Sequence, residues 1–249
     1  VDLSPVTIVL IAAIFLFAGG VKGLIGVGLP TVSVALLINI LPPREAIPLI
    51  VLPSLISNIW QALIGGRAIL LIKRFWPLLI MACAGTWLGV NVLATADQRL
   101  ISGLFGAVLT LYALTGLLRP APPPIERGEV WLTPLTGFVT GLINGVTGSY
   151  MMPSVLYLQA LGLKKDELVQ AMGIFFVVSA AALGISLTGQ NVMTAAQASL
   201  SAAALLPALI GYYLGQSWRE GLSEERFRTV FFIGLLCLGV YTVATRIVL

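Results

Sequence analysis

Histidine is absent from the 249 residues, cysteine occurs only twice, and charged residues make up just 10%. Each shortage removes a class of function. Without histidine or a Cys-x-x-Cys pair, the usual metal and haem ligand sets are missing, so no cofactor and no metal are expected. Cys83 and Cys237 sit inside two different apolar runs, where a reduced thiol buried in the protein is the expectation. No Asp or Glu falls in the middle of an apolar run. That argues against a carboxylate proton relay, though not against a proton moving with a substrate. No nucleophile–base pair is visible either, so the chain is not expected to be an enzyme.

What is abundant is apolar. Hydrophobic residues make up 58% of the chain and its mean hydropathy is +1.02, whereas a soluble domain carries about 25% charged residues. One integral membrane domain uses nearly the whole length. The formal net charge of +4 is not a nucleic-acid footprint, because the basic residues fall in short loops where orientation in a bilayer explains them. The first apolar run, Val6 to Phe17, lacks a basic leading region and a convincing cleavage site, and is read as mature chain.

Ten apolar segments can be drawn, at 5–18, 29–41, 46–65, 75–94 and 99–118, then 131–143, 149–162, 168–187, 193–216 and 227–247. Residues 1–119 and 131–249 form two transmembrane repeats joined by a proline-rich linker, 120–130. Gly23-Leu24-Ile25 lies opposite Gly141-Leu142-Ile143, Pro43 to Ala46 opposite Lys165 to Leu168, Gly85-x-x-x-Gly89 opposite Gly211-x-x-x-Gly215, and Ala96 to Arg99 opposite Leu222 to Glu225. The first two segments of each half are shorter than the roughly 20 residues a span needs. The expected fold is therefore all-α integral membrane: an inverted repeat, each half a broken or re-entrant helical hairpin plus three transmembrane helices.

Charge supports that parity. One side collects Arg67, Lys73, Arg74, Arg119, Arg127, Lys164, Lys165, Arg219, Arg226 and Arg228, and the other only Arg44, Arg99 and Arg246. Ten against three makes the first side cytoplasmic, leaves both termini external and inserts the halves in opposite orientations. Counting each short pair as a single span makes the tally seven against six, and the bias vanishes.

Two glycine-rich stretches interrupt the apolar runs, Gly19 to Pro30 and Gly141 to Pro153. Such breaks are tolerated in a membrane only where they are buried in protein or line a wet cavity, and a matched pair is the best sequence pointer to a transporter site. Lys22, beside the first break, is the only charge expected deep in the apolar region. An intramembrane charge is a functional hypothesis by default; the alternative is that Lys22 snorkels to an interface or bonds carbonyls at a helix end. The helices restarting after Gly28 and Gly148 would present N–H groups and positive dipole ends to an anion. Gly23, Gly26 and Gly28 belong to the first break, and Asn144, Gly145, Thr147, Gly148, Ser149 and Tyr150 to the second. Capping of the restarting helix is the competing role for the hydroxyls. Neither stretch ends in the Gly-Lys-Ser/Thr of a phosphate-binding loop.

Ser54, Ser57, Asn58 and Gln61 recur at spacings of three and four and form one polar helical stripe. It either lines a pore beside the first break or hydrogen-bonds between helices. The matching stretch of the second half offers only Ser179, so the site should be asymmetric. The two Gly-x-x-x-Gly pairs are assigned to close helix packing. Several of Trp60, Trp76, Trp87, Trp131 and Trp218 lie near expected span ends, as interfacial anchors do.

The stretch Gly141-Leu142-Ile143-Asn144-Gly145-Val146-Thr147-Gly148-Ser149-Tyr150-Met151-Met152-Pro153 resembles the glycine-rich repeat of the TauE/SafE sulfite exporter family, usually Gly-Leu-x-Gly-x-Gly-Gly-Gly followed by Pro. Gly23-Leu24-Ile25-Gly26-Val27-Gly28 resembles its first copy. The resemblance covers essentially the whole chain, including the small-residue loops Gly65-Gly66-Arg67 and Gly189-Gln190-Asn191. The first copy departs from the pattern at Leu29-Pro30 and the second at Asn144, Val146 and Ser149, making the tips bulkier or more polar. The resemblance implies export of sulfite or a small organosulfonate across a bacterial inner membrane. The residues themselves point to a small oxyanion without singling out sulfur.

The expected carrier brings its two glycine tips together near the midplane and holds an anion between Lys22, the stripe from Ser54 to Gln61, and Asn144 to Tyr150, with one repeat rocking against the other. Each negative charge leaving a negative interior gains about 2.3 kcal/mol per 100 mV, so the potential alone could drive export. A channel-like anion pathway and a non-transporting membrane subunit or scaffold of an enzyme complex are the alternatives. The expected partners are a small anion and the lipid bilayer, with no nucleic acid; the apolar surface also permits a homodimer.

Overall fold

A computed structural model describes residues 4–118, 125, 128–218 and 224–245. Arg119, Arg127, Arg219 and Arg246 of the charge count, most of the linker 120–130, and Leu222-Ser223 of the repeat lie outside the described residues. Among the described residues there are eleven α-helices and no strand. In chain order these are α1 (Pro5–Ile25), α2 (Leu29–Leu37), α3 (Pro43–Leu49), α4 (Val51–Leu63), α5 (Ala68–Thr95) and α6 (Gln98–Leu118). They continue as α7 (Glu129–Thr147), α8 (Ser154–Ala160), α9 (Lys165–Gly189), α10 (Ala195–Trp218) and α11 (Glu224–Val243).

Six helical stretches are long and apolar enough to cross a membrane: Pro5–Ile25, Pro43–Leu63, Ala68–Thr95, Gln98–Leu118, Lys165–Gly189 and Ala195–Trp218. The chain is a multi-pass, all-α membrane protein. Its exposed apolar side chains, Trp60, Trp131 and Trp218 near helix ends among them, suit contact with lipid. The same surface corrects the expectation for the cysteines. Cys83 on α5 and Cys237 on α11 are both free and exposed, because a spanning helix can turn a small apolar thiol toward lipid rather than into its own core.

The helices form two compact units. The first contains α1, α2, α3, α6, α10 and α11; the second contains α5, α7, α8, α9 and α4 from Ser54 onward. Each unit therefore draws on both halves of the sequence.

Within the first unit, α1 lies on α10. A Cβ added at Gly19 would strike the backbone of Ala208, and one at Gly23 the backbone of Tyr212, Gly215 and Gln216. Within the second unit, α7 lies on α5 in the same manner: Gly141 meets the backbone of Ala82, and Gly145 that of Thr86, Gly89 and Val90. Gly85, Gly89, Gly211 and Gly215 are the facing surfaces, as expected of their spacing.

These seams revise the segment lengths. The first arms were expected to stop at residues 18 and 143, but α1 runs to Ile25 and α7 to Thr147. Gly19, Gly23, Gly141 and Gly145 are contact points inside continuous helices rather than breaks. A mid-helix glycine costs about 1 kcal/mol relative to alanine, which close backbone approach offsets. With 21 residues at 1.5 Å rise, α1 is about 31 Å long, enough for the hydrocarbon core.

The span Pro43–Leu63 is interrupted at Ile50, between α3 and α4. Pro53 lacks the N–H that would bond the Leu49 carbonyl. Ser201 on α10 supplies the missing donor: its Oγ donates to Leu49 O at 2.9 Å and accepts from Leu52 N at 3.1 Å. Ser201 is fully buried. Ser201→Ala should leave both backbone groups without this partner and cost about 1–3 kcal/mol. A thermal or denaturant midpoint equal to wild type in detergent would show that the hydroxyl does not hold the kink.

Candidate functional site

The first break lies wholly within the first unit. Helix α1 ends at a left-handed glycine, Gly26 at φ 81°, whose N–H donates to Lys22 O at 2.7 Å. Gly28, at φ 104°, then starts α2. Two positive φ values within three residues turn the chain sharply, and only glycine adopts them without strain. Helix α2 restarts immediately, as expected, and buries Thr31 and Ser33.

Lys22 sits in the last turn of α1 and is 3% exposed. So little exposure rules out an ammonium that snorkels to the surface; protein covers the whole side chain. The negative end of the α1 dipole favours a positive charge at this position. The first break thus places a buried lysine in the turn before the cap glycine, just ahead of a nine-residue helix.

The second break lies wholly within the second unit and is longer. Helix α7 ends at Gly148, φ 71°, whose N–H donates to Asn144 O at 2.7 Å. Thr147 Oγ1 donates to Ile143 O at 2.7 Å and accepts from Ser149 N at 3.2 Å. A helix was expected to restart directly after Gly148, but α8 begins only at Ser154, after Pro153, and has seven residues. Its dipole is correspondingly slight, so the second break offers side chains more than a helix end.

Tyr150 is buried in that break, its ring 5.1 Å from that of Phe176. Asn58 Nδ2 donates to Tyr150 Oη at 3.0 Å and to Ser54 O at 2.8 Å. Ser57 Oγ donates to Ser54 O at 3.2 Å, and Gln61 Nε2 to Val169 O at 3.2 Å. The stripe from Ser54 to Gln61 therefore bonds α4 to the second break and to α9, all inside the second unit. Gln170, which the sequence reading missed, completes this stitching: Nε2 donates to Ala62 O at 3.1 Å and Oε1 accepts from Arg67 N at 3.0 Å. Arg67 also pairs with Glu167. Thr86 was missed as well. It is buried and accepts from Asn144. An isolated polar residue within an apolar run was the available signal for both.

The two breaks correspond more closely than the sequence suggests, with a shift of one turn. Aligned on motif, Gly23 stands opposite Gly141. The seams instead set Gly23 against Gly215 and Gly145 against Gly89, so Gly23 matches Gly145. Lys22 then matches Asn144, and Gly26 matches Gly148. Lys22 and Asn144 are each the residue four before the left-handed cap, each accepts from that cap, and each is at least 97% buried.

Among the described residues no group of His, Cys, Asp or Glu could hold a metal ion. Neither the curated proteins nor the solved structures give a match to the chain. The family model described as Sulfite exporter TauE/SafE matches residues 11–242. That match runs from the first helix to the last and takes in both breaks, both glycine seams and the buried lysine: the chain belongs to the TauE/SafE sulfite exporter family.

Proposed function

We propose that this protein exports sulfite, or a related small sulfur oxyanion or organosulfonate, across a bacterial inner membrane by alternating access, with both termini external. Residues 1–119 and 131–249 are the duplicated halves, inserted in opposite orientations. Lys22 carries the reading: an ammonium 3% exposed, beside a left-handed break, in a family of sulfite exporters. Lys22 provides the charge in the first unit, with Gly26 and Gly28 forming the turn between α1 and α2. The Ser149 and Tyr150 hydroxyls provide neutral donors in the second, with Asn58 orienting Tyr150, Asn144, Thr147 and Gly148 shaping the break through their own hydrogen bonds, and Ser54, Ser57 and Gln61 fixing the helix that carries Asn58. Gly23 and Gly145 act through the seams that position the two breaks. Catalysis has no part in this reading.

The test is sulfite flux from liposomes holding the purified protein at a clamped membrane potential, with sulfate, thiosulfate and taurine as competitors. Saturable efflux that steepens with an interior-negative potential is expected. Flux without saturation or counterflow would make the protein a channel. No flux for any anion, with a partner protein co-purifying, would make it a subunit of a larger complex.

A further inference from the structure

The buried polar groups around Asn144 do not satisfy one another. Asn144 Nδ2 donates to Thr86 Oγ1 at 3.2 Å and to the Ser179 carbonyl at 3.0 Å. Its Oδ1 has no hydrogen-bond partner among the described residues, and neither has Ser179 Oγ or Thr140 Oγ1. Asn144, Ser179 and Thr140 are 0%, 1% and 0% exposed. Thr140 lies one turn before Asn144 on α7, and Ser179 on α9 is the residue whose carbonyl Asn144 touches, so the three residues are neighbours within the second unit. Buried polar atoms left without partners are costly, the more so in a bilayer interior where no bulk water reaches them.

The chemistry of the cluster selects its ligand. Asn144 Oδ1 can only accept, so it faces a donor or a cation, never an anion. The two hydroxyls offer lone pairs as well. No carboxylate, imidazole or thiolate joins them in a metal-binding group, which disfavours divalent and transition metals. A set of neutral oxygens, two from the last turns of α7 at the negative end of its dipole and one from α9, suits a small hard monovalent cation.

The first unit supplies an independent argument. At the position matching Asn144 it carries Lys22, four residues before the cap glycine and equally enclosed. There the positive charge is covalent. Where the lysine is replaced by a shorter carboxamide with an unpartnered oxygen, a bound cation restores the same charge in the same local frame.

We propose that the second unit binds Na⁺ through Asn144 Oδ1, Ser179 Oγ and Thr140 Oγ1, as the counterpart of the Lys22 ammonium in the first. The site stands whichever anion the protein carries, and its test reads cation binding with no flux.

The purified full chain in detergent is titrated with NaCl against choline chloride at constant ionic strength, and the thermal unfolding midpoint is followed. The midpoint should rise saturably with Na⁺ and not with choline. A response shared with K⁺ also supports an oxygen-lined monovalent site. Ser179→Ala should raise the half-saturating Na⁺ concentration at least about tenfold, as loss of a ligand oxygen worth roughly 1.4 kcal/mol would. Asn144→Lys should carry its own ammonium and stop responding to Na⁺; should that variant not fold, Thr140→Val takes its place with the same expectation as Ser179→Ala. A wild-type midpoint equal in Na⁺ and choline, as with a bound water alone, overturns the proposal. So does a Ser179→Ala protein that responds to Na⁺ like wild type.

Discussion

Lys22→Met should abolish sulfite export while leaving the protein folded. Removing one partner of a buried charge pair costs about 2–5 kcal/mol, which lowers affinity for the anion roughly 30- to 4000-fold. Stability should hold, because replacing a buried charge by an apolar side chain of similar length is often neutral or stabilising. Lys22→Arg keeps the charge on a larger, planar head and should retain part of the flux. The measurements are sulfite efflux from liposomes and the thermal midpoint of the same preparation. The combination separates two roles for a lysine that is 3% exposed in the last turn of α1. If its task were to bond carbonyls at the helix end, stability and flux would fall together, and Lys22→Arg would restore both. Flux at the wild-type level in Lys22→Met would remove Lys22 from the anion site.

The membrane class, the two breaks and the buried lysine were legible because each is a local departure from an apolar background. A lone charge such as Lys22, or Gly26 and Gly28 ahead of a proline, stands out without knowledge of the partners. The lengths of the first arms were not legible. Gly19 and Gly26 look alike in sequence, yet one presses on the α10 backbone inside a helix and the other ends that helix at φ 81°. Only the partner surface distinguishes a contact glycine from a breaking one. The same limit set the two glycine motifs one turn out of register, since motif matching cannot see that Gly23 and Gly145 meet Gly215 and Gly89. The thiols failed for another reason. In water an exposed Cys83 would be a liability, whereas against lipid it costs nothing, so the usual equation of apolar with buried does not hold. Ser179 and Gln170 carried a weak signal, two polar residues spaced along the largely apolar helix α9, but their meaning depends on what faces them.

Adjacent glycines on α1 should respond to alanine with opposite signs. A Cβ at Gly19 would overlap the Ala208 carbonyl and lie within 3.0 Å of Tyr212 N, and backbone cannot swing aside as a side chain does. Relief requires α1 and α10 to part along a seam on which Gly211 and Gly215 also press from the other side. Gly19→Ala should therefore cost at least about 3 kcal/mol, the upper end of overpacking penalties, and Gly211→Ala, aimed at Leu16 and Gly20, should behave alike. Gly20 differs: its nearest neighbour, the Gly211 carbonyl, would lie 3.7 Å away, an ordinary contact. Gly20→Ala should gain up to about 1 kcal/mol from helix propensity alone. Thermal midpoints of the three variants in one detergent decide it. Because a membrane seam has no solvent-driven hydrophobic term to hold it, close packing of this kind is a main source of its cohesion. Equal midpoints for Gly19→Ala and Gly20→Ala would mean that α1 and α10 are held by something other than backbone contact. A wide split would mean that the small residues fix where the first break sits, and with it where Lys22 is presented.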